Sequence, residues 1–294
     1  MHAERYWWPN IWTEVKEYVL QCLECQQWKA SCQKPYGLLP PIMGVSQPFE
    51  KVACNVMGLL PRSNGGNRYL LTFTDYMTRW PEAFALEETS TETIAKVFVE
   101  QVICRHGAPE HFLTDNGSNF CAELMVEVNK LLQISPQHST PYHPQCNGLV
   151  EKFNGTLSKM LSMYVNEHPK DWDVFLPYVL FAYRTSVQAS TGETPFFLMH
   201  GRDPAHPYDL MYGAVPESEA PSTVQRFRSE LTDRIVEGME RARAALEATQ
   251  KKQKRHYDAR HSPATFGTGD LVLLRAQEPK NKFAKRWIGP FRII

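Results

Sequence analysis

Apolar residues recur along this chain with two different periods, and the places where the period changes divide it into elements. Over residues 11–28, Ile11, Val15, Tyr18 and Val19 fall at helical spacing and predict a helix ending near Cys22 and Cys25. Pro35, Pro40, Pro41 and Pro48 then mark a linker, because proline cannot pair within a central strand. Three strand-like segments follow at about 51–60, 67–75 and 82–87, the first two joined by the turn Asn64-Gly65-Gly66-Asn67. A helical stretch over 91–105 precedes the short apolar run His111-Phe112-Leu113-Thr114, which ends in Asp115 and an Asn-Gly turn. A meander of strands followed by alternating helix and strand predicts an α/β domain.

The helical period returns near Asn147. Val150, Phe153, Leu157, Met160, Leu161 and Tyr164 should face a core, leaving Glu151, Asn154, Gly155 and Ser158 on the opposite face, open to substrate. A further helix over 170–187 carries Trp172, Phe175, Leu176, Tyr178, Phe181 and Tyr183, read as packing residues. Pro204, Pro207, Pro216 and Pro221 mark a second linker. From Ser222 to about Tyr257, Val224, Phe227, Leu231, Ile235, Met239 and Leu246 recur at roughly heptad spacing, as in a spacer helix or an oligomer contact. Gly267-Thr268-Gly269-Asp270 then reads as a turn into the strand Leu271-Val272-Leu273-Leu274-Arg275.

Composition changes this picture in one respect. With 294 residues, 43% hydrophobic and 22% charged, the chain has the make-up of a globular protein of about two domains. Its formal charge of zero conceals an asymmetry: residues 251–294 hold eleven Lys and Arg against three Asp and Glu, so this tail carries +8 and the rest −8. A basic tail on an acidic body points to a local polyanion contact; the plainer alternative is a solvated charge run. There is no run of about 18 apolar residues, so no membrane partner is expected. Seven scattered cysteines fit a reducing compartment, nuclear or cytoplasmic, better than a disulfide framework.

The sharpest chemical signal is the pair Asp115 and Glu151. Asp115 ends an apolar strand, Glu151 follows a proline-containing loop into a helix, and thirty-five residues lie between them. Two carboxylates held on rigid elements suit a divalent cation in phosphoryl transfer, because Mg²⁺ takes oxygen ligands and usually one or two carboxylates per ion. Cys22 and Cys25 have the spacing of half a tetrahedral zinc site.

Both carboxylates lie in stretches that together resemble the integrases of retroviruses and LTR retrotransposons, closest to the gypsy-type branch. The resemblance covers nearly the whole chain: Leu20-Gln21-Cys22-Leu23-Glu24-Cys25-Gln26, Leu113-Thr114-Asp115-Asn116-Gly117-Ser118-Asn119-Phe120, Thr140 through Leu157, and Arg286-Trp287-Ile288-Gly289-Pro290-Phe291. It implies an RNase H-like mixed-sheet core at 49–205, after a zinc-binding helical module at 1–34 and a linker at 35–48. A linker and long helix at 206–262 and an SH3-like C-terminal β module at 263–294 complete the plan. Both terminal modules are expected to be partial. Three acids bind Mg²⁺ or Mn²⁺ in such enzymes, the first on the opening strand, where this chain has Asn55. The zinc site lacks its two histidines, since His2 matches neither, so Zn²⁺ binding is expected to be weak. The resemblance further implies DNA contact by His143 and Gln145 in the loop before Glu151. Lys152 and Lys159 on the following helix are candidates for phosphate contact, or simply solvated. In the tail the candidates are Lys251, Lys252, Lys254, Arg255, Lys285 and Arg286. Homo-oligomers and nuclear residence are implied as well.

Asparagine at position 55 keeps one carbonyl oxygen but loses a negative charge. Three readings follow: an integrase-derived protein with intact fold and impaired catalysis, a working integrase in which Asp75 or an unusual metal arrangement compensates, or a nucleic-acid or protein-binding adaptor without a metal role.

Overall fold

A computed structural model describes residues 7–28, 37–39, 44–115, 117–138, 148–165, 169–205, 209, 211, 224–263, 266–276 and 284–294. These residues form two compact units, one from residues 42–250 and one from 1–41 together with 251–294.

The first unit is built on a five-stranded mixed sheet of β1 (Lys51–Met57), β2 (Tyr69–Asp75), β3 (Pro81–Leu86), β4 (His111–Thr114) and β5 (Ser135–His138). Its order is β3-β2-β1-β4-β5. The meander pairs antiparallel, while β4 and β5 join parallel to β1, as an RNase H-like core requires. β2 is buried over most of its length, and β1 at Val52, Ala53 and Cys54, because helices cover both faces. One face carries Val52, Cys54, Leu71, Phe73 and Phe112 against Ile94, Phe98, Val102 and Met125. Those come from α3 (Thr91–Val97), the π-helical turn Phe98–Ile103 that extends it into α4 (Cys104–His106), and α6 (Glu123–Leu131), which follows the short α5 (Ser118–Cys121). The other face carries Leu70, Ala83 and Met57 against α7 (Gly148–Tyr164) and α8 (Trp172–Arg184). The expected strands and helices are therefore present, with ends shifted by a few residues.

Burial departs from the sequence pattern at several positions. On α7, Val150, Phe153, Leu157 and Leu161 are buried as expected, but Tyr164 is exposed and Asn154, expected on the open face, is buried. On α8, Tyr178 and Phe181 are exposed, because the buried stripe runs through Trp172, Leu176, Val179 and Leu180, with Phe175 and Tyr183 packed at its margin. The long helix α10 (Val224–Asp258) is not a bare spacer: Met239, Ala242 and Leu246 are buried with Met77 and with Leu198 of α9 (Pro195–His200). Gly201 caps α9 at φ +66°, and a Cβ there would come within 2.6 Å of Ile235 on α10, so glycine is needed both for the turn and for the close approach.

The second unit joins the two ends of the chain. The expected single helix over 11–28 is two, α1 (Ile11–Gln21) and α2 (Leu23–Trp28), because Cys22 between them is extended at ψ 106°. Of the predicted apolar face only Ile11 is buried; Val15 and Tyr18 are exposed. β6 (Leu271–Arg275) and β7 (Trp287–Arg292) pair antiparallel in a two-stranded ribbon. Gln27 fastens the ribbon to α2: its Nε2 donates to the Gly289 carbonyl at 2.8 Å, and its own carbonyl accepts from the Arg286 N–H at 3.0 Å. No helix among the described residues is long and apolar enough to cross a membrane.

Candidate active site

The sheet register brings the predicted acid positions together. β1 and β4 pair in parallel with Ala53 opposite Leu113, and two residues further along each chain come Asn55 and Asp115. Ala53 and Leu113 share one buried cluster with Val150, so the residue that follows on α7, Glu151, lies at the same end of the same face. At Cys54, the neighbour of Asn55 on β1, burial first, and then the negative charge of Asp115, push the thiol well above the ordinary cysteine range.

Each position is held differently. Asp115 leaves the end of β4 half-buried, and its Oδ1 accepts the Gly117 N–H at 2.9 Å. Glu151 is exposed in the first turn of α7. Asn55 is half-buried within β1, opposite Thr72 of β2. Thr72 donates to the Asn55 carbonyl at 3.1 Å and lies 2.9 Å from Asn154 Oδ1.

Asp75 is not a replacement for the missing acid. It pairs with Val52, three positions from Asn55 along β1, and side chains alternate faces, so Asp75 points to the side of the sheet away from Asn55. It is buried and committed: Oδ1 accepts from the Phe49 N–H at 2.9 Å, and Oδ2 from the Thr78 N–H at 2.7 Å and hydroxyl at 2.6 Å. Burial pushes its carboxyl above the ordinary aspartate range, opposed by those hydrogen bonds. The carboxylate is a structural clamp between the start of β1 and the turn after β2.

The remaining candidates divide. Lys152 and Lys159 are exposed on α7, and Lys252, Arg255, Lys285 and Arg286 are exposed in the second unit, as is Lys251. Lys254 departs from the expectation of a solvent-facing DNA contact: its ammonium pairs with Asp258 Oδ2 at 3.0 Å and donates to the Leu39 carbonyl at 2.5 Å. His143, Gln145 and His2 lie outside the described residues. Cys22 and Cys25 are half-buried, with the Cys22 thiol lowered by hydrogen bonds from Cys25. Among the described residues no group of three His, Cys, Asp or Glu side chains is placed to hold a metal.

Two buried groups were not read from the sequence. One is the Thr72–Asn154 pair. The other is Glu82, which accepts from Arg184 at 2.7 Å and the Trp80 indole at 3.0 Å and lies 3.2 Å from His106 Nε2. Burial pushes the Glu82 carboxyl up, but the His106 hydrogen bond, the Arg184 charge and the Trp80 hydrogen bond outweigh it and hold the group below the ordinary glutamate range. A glutamate within the otherwise apolar Pro81-Glu82-Ala83-Phe84-Ala85-Leu86 was the available signal.

Residues 46–144 match the integrase core domain family and residues 1–31 the integrase zinc binding domain family. The chain is 29% identical over 291 residues to a retrovirus-related Pol polyprotein from transposon 412 of Drosophila melanogaster, covering 98% of this chain and 23% of that one. It is 26% identical over 298 residues to the transposon Tf2-3 polyprotein of Schizosaccharomyces pombe, covering 99% of this chain and 22% of that one. The chain thus spans less than a quarter of the length of these relatives. Among solved structures, the fold matches a chain of the simian T-cell lymphotropic virus intasome in complex with PP2A regulatory subunit B56 gamma. The TM-score is 0.53 at 21% identity, over 66% of this chain and 70% of that one. The catalytic core domain of HTLV-2 integrase in complex with magnesium aligns with a TM-score of 0.42 at 22% identity, over 51% of this chain and 95% of that one.

Proposed function

Because this chain is an integrase-family protein of retrotransposon origin, we propose that it binds DNA and retains the frame of a metal-dependent polynucleotidyl transferase whose catalysis is impaired at Asn55. The observation that carries this reading is the register. Residue 55 lies two positions beyond a rung whose partner lies two positions before Asp115, so the neutral carboxamide stands where a third carboxylate would complete the site.

The donor set fits one hard divalent cation, Mg²⁺ or Mn²⁺, held by Asp115 and Glu151 with a neutral oxygen from Asn55, and is one charge short for two. When bound, such an ion activates a hydroxyl nucleophile and stabilises the leaving oxygen. The protein's own share is positional. The Gly117 N–H fixes the Asp115 carboxylate at the end of β4, and the packing of Val150 on Ala53 and Leu113 holds the first turn of α7, and so Glu151, against the sheet. DNA would be drawn chiefly by the basic tail, through Lys251, Lys252, Arg255, Lys285 and Arg286, with Lys152 and Lys159 beside the site. Association into homo-oligomers, nuclear residence, and weak zinc binding at Cys22 and Cys25 belong to the same reading.

The test is Asn55→Asp, read by Mn²⁺ titration and by strand transfer from a DNA 3′ end. The unmodified protein should bind Mn²⁺ weakly and transfer little. The substitution should tighten Mn²⁺ binding by roughly an order of magnitude, since affinity follows ligand charge, and restore some transfer, with Asp115→Asn abolishing both. Robust transfer by the Asn55 protein would overturn the impairment. Absence of Mn²⁺ binding in both forms would favour an adaptor with no metal role.

A further inference from the structure

Helix α7 touches the sheet at intervals of one turn: Val150 packs on Ala53 and Leu113, Asn154 meets Thr72, and the Ser158 hydroxyl lies 3.2 Å from Met57 Sδ. Glu151 is one residue off this seam. Of the three contacts only the middle one is a directional bond between fully buried polar groups, Thr72 being 0% exposed and Asn154 8%. Thr72 also donates to the carbonyl of residue 55 itself. A single hydroxyl hydrogen cannot serve two acceptors fully. It is shared between Asn154 Oδ1 at 2.9 Å and the carbonyl of residue 55 at 3.1 Å, so one hydroxyl ties α7 to the backbone of residue 55.

We propose that Thr72 and Asn154 are positioning residues that set the distance between Glu151 and the backbone of residue 55, so that the site keeps its metal-ready spacing although Asn55 lacks the charge. The inference rests on the reading of Asp115, Glu151 and residue 55 as a metal site. A buried hydrogen bond with no water to replace it has a steep cost of misplacement, which suits it to hold a helix in register. It also explains why a polar pair stands between apolar contacts at positions 150, 153 and 157.

The experiment uses the full chain carrying Asn55→Asp, compared with the same chain further changed by Thr72→Val or Thr72→Ser. Mn²⁺ binding is followed by electron paramagnetic resonance and hydrogen exchange by mass spectrometry over residues 148–157. Thr72→Val removes the hydroxyl at nearly constant shape and should weaken Mn²⁺ binding about tenfold, the scale for losing a residue that orients metal ligands. It should also speed exchange in the first turns of α7. Thr72→Ser, which keeps the hydroxyl, should restore both. If Thr72→Val lowers the thermal midpoint but leaves Mn²⁺ affinity intact, the pair is merely structural and the proposal falls, while the metal site stands. If Asn55→Asp itself gains no Mn²⁺ affinity, the metal reading fails and the positioning role, which rests on it, falls with it; faster exchange confined to the Val variant then reports only a structural bond between α7 and the sheet.

Discussion

In the unit of residues 42–250, Glu82 and Asp75 are buried and ringed by donors, whereas the unit formed by the two ends of the chain carries Lys252, Arg255, Lys285 and Arg286 in solvent. The contrast reflects two uses of charge. A buried carboxylate must be satisfied where it stands, and so fixes the elements that supply its donors. An exposed cation contributes little to folding and remains available to a polyanion. Lys254 is an exception in the second unit. Tied to Asp258 and Leu39, it helps to hold that unit together.

The largest effect expected from breaking this contrast is at Glu82. Glu82→Gln leaves the mostly buried Arg184 without its counter-charge and should cost about 3 kcal/mol in urea unfolding. The sign of its pH dependence follows from the depressed pKa. Stability from ionised Glu82 is present above the ordinary glutamate range and lost as pH falls through its lower folded value, so the variant should lose part of the acid limb seen in the parent.

Asp75→Asn comes next, at about 2 kcal/mol, because an amide N–H₂ would face the donors of Thr78 or Phe49. It should leave Mn²⁺ affinity unchanged in the Asn55→Asp background. A loss of affinity there would mean that Asp75 acts at the site after all.

Gln27→Ala should cost about 1 kcal/mol, confined to the unit of the two ends, since one side-chain hydrogen bond to the Gly289 carbonyl is lost. Hydrogen exchange over 287–292 would report it.

The finest test separates the cations from one another. If the tail meets on the order of four to six phosphates, log K for DNA should fall with log salt at a slope of about −4 to −5, and Lys252→Ala or Arg255→Ala should each flatten it by about 0.9. Lys254→Ala should change the slope less and destabilise the fold more. Equal slopes for Lys252→Ala and Lys254→Ala would remove the distinction drawn here.

Much of this molecule was legible in the sequence because local signals and global fold agree. The strand segments of β1 and β2, the helical period of Val150, Phe153, Leu157 and Leu161, and the placement of Asp115 at a strand end and Glu151 in a first helical turn all survive in the structure. What stayed hidden was whichever property depends on a neighbour remote in the chain. Asn154 reads as an open polar position because its partner Thr72 is 82 residues away, and Gln27 reads as an ordinary helix residue because Gly289 lies 262 residues on. Tyr178 and Phe181 read as core because periodicity gives a helix a face without saying how wide a stripe the sheet will cover. The identity of residue 55 and its lost charge were determined by the sequence alone. That it stands beside Asp115, and that Asp75 points to the other face, was decided by parallel pairing of β1 with β4 and by strand alternation, which exist only once the sheet has formed.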